Sequence, residues 1–121
     1  MRYVCLIYFD PKKVFDGSAE SNAVLTAVGA HDQVLMAKGQ LVFAQALALP
    51  NEAMTVKVRD GKMSATDGPF METKEMLGGL VVIEAPDLNA AGQIAASMPF
   101  AKLGSIEVRP VPDYTKPRPK L

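Results

Sequence analysis

Two unbroken apolar runs stand out along the chain. Tyr3 to Phe9 is closed by Asp10-Pro11, and Leu80 to Ile83 follows a pair of glycines. A run without polar alternation suits a strand covered on both faces. Between them, "SNAVLTAVGAHDQVLMAKG" puts Val24, Val28, His31 and Leu35 on one face at helical spacing, with Ser21 or Asn22 as the N-cap and Gly39 as the stop. "QLVFAQALAL" then reads as a strand, and "MTVKVRDGKMSAT" as two short strands around Asp60-Gly61, a strong hairpin signal. Lys57 and Arg59 alternate with Val56 and Val58, which gives that hairpin a wet side. Pro86 and Asp87 open a second helix to about Ser97 that should bury Leu88, Ala91, Ile94 and Met98 before Pro99 ends it. "SIEVRPV" alternates as an edge strand does.

The order strand, helix, strand, hairpin, strand, helix, strand predicts an α+β fold, a ferredoxin-like βαββαβ arrangement with an extra β-hairpin. That topology places the first and third main strands in the centre of the sheet, and those are the two that read apolar throughout. Two helices cover only one face of such a sheet, so a second copy is the economical cover for the other. The expected product is a homodimer, sheet facing sheet, in a dimeric α/β barrel. One domain over residues 1–110 fits the length of 121 residues, and 111–121 reads as an extended tail with three prolines, directly after Pro110.

Charge and cysteine content narrow the function classes. The 13 basic and 13 acidic residues balance, so no field draws in nucleic acid. Cys5 is the sole cysteine and cannot form an intramolecular bridge, while the apolar stretch from Val4 to Phe9 is too short to span a membrane. The expectation is a cytoplasmic chain with no membrane partner. One histidine and one cysteine do not make the usual transition-metal ligand sets, and flavin, nicotinamide and P-loop fingerprints are absent, so neither metal nor cofactor is expected.

Candidate chemistry concentrates in "DGPFMETKE", residues 67–75. Asp67, Gly68 and Pro69 suffice for a rigid turn, but a turn does not need Glu72, Lys74 and Glu75. Those charges form either a solvated face or a site at the sheet's open end. His31, in an apolar stripe, is either a core histidine satisfied by one hydrogen bond or a proton-transfer group. Glu107 and Arg109 share one face of the last strand and read as an ion pair or as an anion contact.

The motif followed by "LGG" resembles the signature of the DGPF-domain family within the wider YCII-related group. The resemblance runs along nearly the whole chain, through "LIYFD", "AKGQLV", "VRDGK" and "IEVRPV". It implies a dimeric α/β barrel. Members of the wider group are linked to catabolism of chlorinated aromatics, and DGPF proteins often accompany extracytoplasmic-function sigma factors. The chain departs from the family pattern at Met71, where alanine is common. The group is described with an active-site histidine in helix one and an aspartate. Counting back from Gly39 puts that histidine position near Val28, and His31 lies one turn later on the same side. Asp67 is assigned the partner role on its chemistry, without a matched position.

Two readings follow. In the first, the dimer is a cofactor-free enzyme acting on a small aromatic or lactone-like organic acid. His31, Asp67, Glu72 and Lys74 form the catalytic set, and Arg109, Glu75 and Phe70 hold the substrate. In the second, the chain is a non-catalytic ligand-sensing or partner-binding protein of a sigma-factor-associated pathway. Convergent ionisable groups in a closed pocket favour the first, and a filled core with only exposed charges favours the second.

Overall fold

A computed structural model of the chain describes residues 1–118 and 120. Its elements are β1 (Arg2–Phe9), α1 (Pro11–Val14), α2 (Ala19–Ala37), β2 (Leu41–Ala46), β3 (Met54–Arg59), β4 (Lys62–Asp67), β5 (Met76–Glu84), α3 (Leu88–Ser97) and β6 (Gly104–Pro110), with 3-10 turns at Pro50–Glu52 and Pro99–Lys102. Four strands form an antiparallel sheet in the order β2-β5-β1-β6, and β3 and β4 pair as a separate two-stranded ribbon. The two apolar runs are the central strands, as their composition requires.

Local signals set most boundaries. Asp10 caps α1 by accepting a hydrogen bond from the Lys12 backbone N–H at 3.0 Å, and Pro11 follows at the first helical position, where no N–H is missed. The start of α2 differs from expectation, for neither Ser21 nor Asn22 is its cap. Ser18 takes extended backbone after Gly17 and accepts from the Ser21 N–H at 3.1 Å. The Ser21 hydroxyl is buried and committed to the Lys13 carbonyl at 2.7 Å, so the helix gains a turn ahead of the first apolar residue. At its end, Gly39 has φ +70°, its N–H reaches the Met36 carbonyl, and the Gln40 N–H reaches that of Leu35, a Schellman closure. Asp60 and Gly61 both have positive φ, which produces the tight hairpin turn.

One face of the sheet carries Tyr3, Cys5, Ile7, Phe9, Val81 and Ile83, all buried beneath the helices. Val24 and Leu35 of α2 and Ala91 and Ala95 of α3 face it, while Leu88, in the first turn of α3, stays exposed against expectation and Ile94 is half-buried. Phe9 stacks on Phe100 at 4.9 Å between ring centres and meets Phe15 edge-on at 6.1 Å. Burial pushes the Cys5 thiol up to about 11 by removing water from the thiolate.

By strand alternation the opposite face presents Val4, Leu6, Tyr8, Leu77, Leu80 and Val82, all half-buried, with Phe43 beside them. Glu107 and Arg109 border it on β6 and pair with each other along the strand. The ribbon is two-sided in the same way. Met54, Val56, Val58, Met63 and Ala65 share one face and Lys57, Arg59 and Lys62 the other, but both faces are exposed. After β6, Val111 still bonds the Arg2 carbonyl, and the chain then makes a turn closed by the Lys116 N–H on the Asp113 carbonyl. The tail is thus bent at Asp113–Lys116, and its Pro119 and Leu121 lie outside the described residues.

Candidate functional site

A cavity borders the glycine pair of β5. The register of β1 on β5 slips between Ile7 and Tyr8, so Gly78 is the extra residue of a β-bulge. Only glycine fits there: a Cβ on Gly78 would lie 2.1 Å from Phe9 Cε1, and one on Gly79 would lie 3.0 Å from the Gln45 carbonyl oxygen. Together with Ala44 and Ala46 on β2, this pair lines a void of about 190 Å³ under α2, partly open to solvent. Ile7, Val28, Val81, Met98 and Phe100 make its walls apolar, and His31, Asp32 and Gln45 bring the polar side chains.

His31 is half-buried on the sheet side of α2, as the stripe with Val24, Val28 and Leu35 predicts. Its Nε2 lies 2.9 Å from Ser97 Oγ, and Ser97 Oγ donates to the Ile94 carbonyl at 2.6 Å. The ring therefore bridges the two helices over the mouth of the cavity. On its other side it borders a shallow cleft with Lys38, Gln40 and Gln93.

The DGPF stretch lies elsewhere. Asp67 ends β4 opposite Met54. Gly68, at φ +105°, donates its N–H to the Ala53 carbonyl at 2.7 Å and accepts from Thr55 Oγ1 at 2.9 Å. These bonds tie the bend to β3, so Gly68 has a structural task. Phe70 is 72% exposed, with Lys57 Nζ 5.2 Å from its ring centre. Glu75 accepts from Ser105 Oγ at 2.9 Å, and Thr73 Oγ1 donates to the Glu75 carbonyl. Phe70, Met71 and Glu75 line a broad apolar groove of about 800 Å³ with Tyr8, Leu47 and Leu49, and Glu72 lines a shallower cleft beside it. Asp67 and Lys74 border neither.

The seven expected residues thus fall in three places. His31 is at the cavity under α2. Phe70, Glu72 and Glu75 line the groove and cleft beside the DGPF bend, where Asp67 and Lys74 stay on the outer surface. Arg109 sits on the uncovered sheet face, engaged by Glu107. The structure does not bring Asp67, Glu72 or Lys74 to the His31 cavity. Asp32, next to His31 and not singled out from the sequence, does border it. Ser97 had no sequence signal, since its contact spans 66 positions. Among the described residues no group of three or more histidine, cysteine, aspartate and glutamate side chains could hold a metal ion, and no helix is long and apolar enough to cross a membrane.

Comparison with known proteins agrees with this architecture. A solved structure of 5-chloro-2-hydroxyhydroquinone dehydrochlorinase from Burkholderia phenoliruptrix AC1100, in complex with 2,5-dihydroxybenzoquinone, is similar in fold, with a TM-score of 0.52 and 15% sequence identity over 95% of this chain and 97% of that one. An uncharacterised protein of Rhizobium meliloti (strain 1021) is 32% identical over 117 residues, 94% of each chain. The YCII-related domain matches residues 1–115, nearly the full length described, and the DGPF stretch, the glycine bulge and the histidine of α2 all lie within that span. The chain belongs to the YCII-related family.

Proposed function

We propose that the chain is a small-molecule enzyme that binds a hydroxylated aromatic or quinone ring in the cavity under α2 and moves a proton on it with His31. The observation that carries this reading is an ionisable ring held by a hydrogen bond at the wall of a mostly apolar void of about 190 Å³. An apolar cavity of about 150 Å³ is enough to take up benzene, so one substituted six-membered ring is the matching size. Apolar walls with few convergent polar groups are the usual character of such sites. The similar fold of a dehydrochlorinase bound to 2,5-dihydroxybenzoquinone supports the ligand class by analogy.

In the proposed step a neutral imidazole accepts the proton of a ring hydroxyl, the electron pair of the O–H bond stays on the ligand, and the proton returns to ligand or water. The proposal also includes a homodimer formed through the sheet face of Val4, Leu6, Tyr8, Leu80 and Val82. The DGPF groove meets that face at Tyr8 and Leu77, so a second copy would wall it.

Titration calorimetry with hydroxyhydroquinone, its 5-chloro derivative and 2,5-dihydroxybenzoquinone, followed by product analysis of any ligand that binds, tests the reading. His31→Asn should lower turnover of a converted ligand about 10²- to 10⁴-fold while the fold is kept. Turnover unchanged in His31→Asn, or no binding by any ring of this class, refutes it.

A further inference from the structure

We propose that Ser97 is a positioning residue that fixes His31 as the Nε2–H tautomer, so that the site selects ligands by a hydroxyl they donate and not by a carboxylate. The inference rests on the cavity reading above and adds the polarity of its recognition. A serine hydroxyl has one proton. At 2.6 Å from the Ile94 carbonyl oxygen, that proton must lie between the two oxygens, because a carbonyl has none to give. Ser97 Oγ then has only lone pairs for His31, 2.9 Å away, and Nε2 must be the donor. A neutral imidazole carries one N–H, so Nδ1 holds the lone pair. Among the described residues no protein group is hydrogen-bonded to Nδ1.

The chain of donors is anchored in the backbone. Ile94 is in the last turn of α3, where carbonyls have no helical partner, and the Ser97 side chain satisfies this one. A fixed tautomer makes recognition directional. A ring hydroxyl can donate to Nδ1, while a carboxylate has no proton to offer and would also face the carboxylate of Asp32 on the same wall. The expected organic acid is thereby narrowed to a hydroxylated ring.

His31 is the only histidine of the chain, so its ring is read without overlap. Long-range ¹H–¹⁵N correlation spectra of the ligand-free protein in alkaline buffer should show one tautomer with the proton on Nε2. Ser97→Ala should give a mixture of both tautomers, and Ser97→Thr, which keeps the hydroxyl, should restore the single form. In calorimetry, hydroquinone should bind and benzoate should not, and Ser97→Ala should weaken hydroquinone about 2- to 10-fold, the range of one hydrogen bond. A wild-type ring protonated on Nδ1, or a tautomer ratio that Ser97→Ala leaves unchanged, overturns the proposal, as does benzoate binding as tightly as hydroquinone. The spectra need no ligand, so a correct tautomer together with no binding of any ring would sink the functional reading and leave the positioning role standing.

Discussion

Gly78→Ala places one methyl group where the bulge of β5 passes under Phe9. The added carbon would sit 2.1 Å from Phe9 Cε1, 2.5 Å from Cζ and 3.0 Å from Cδ1, far inside contact distance. The Phe9 ring is 5% exposed and stacked on Phe100, so it can give way only by leaving that stack. Overpacking of this kind costs about 1–3 kcal/mol, and losing the aromatic stack adds about 0.5–1.5 kcal/mol. The sum, about 1.5–4.5 kcal/mol, lowers the melting temperature by about 5–25 °C at this chain length. Gly29→Ala is the internal control, because a Cβ there meets nothing within 4 Å and the site is mid-helix. It should raise stability by about 0.5–1 kcal/mol. Calorimetric melting of both variants, of Phe9→Leu and of Phe9→Leu/Gly78→Ala, which removes the clashing ring edge, gives a double-mutant cycle with a coupling of opposite sign to the single losses. If Gly78→Ala melts with the wild type, the bulge does not run under Phe9 and the close approach at this position is wrong.

The raised pKa of Cys5 has a pH signature. The unfolded thiol ionises from about pH 9, while the folded one holds its proton to about 11. Its contribution is therefore complete below pH 9 and is lost as pH rises through 11, a change of about 2–3 kcal/mol that Cys5→Ala should lack in alkaline denaturant titrations. Leu6→Lys puts a charge at the centre of the uncovered sheet face, between Leu80 and Glu107, and should convert the proposed dimer to monomer by light scattering. A variant that keeps the wild-type mass at micromolar concentration would remove that face as the interface.

What the sequence determined by itself was everything governed by neighbours along the chain. Apolar runs without alternation marked the central strands, Asp60-Gly61 marked a hairpin that positive φ angles require, and Gly39 marked a helix end that needs a left-handed residue. The side of α2 on which His31 lies followed from its 3.6-residue spacing with Val24, Val28 and Leu35. The boundaries missed were those in which two local signals competed. Ser18, Ser21 and Asn22 are all good caps, and only the contact of Ser21 with Lys13, eight residues back, decided among them. Site composition was decided later still. The DGPF charges looked catalytic because they are dense in sequence, but the crossing from β4 to β5 carries them along a groove away from His31. Ser97 and the glycine bulge gained their meaning only when α3 packed beside α2 and β1 slipped one residue on β5. Periodicity records which way a side chain faces on its own element. Which side chain meets it from another element depends on register and packing, which no local pattern along the chain encodes.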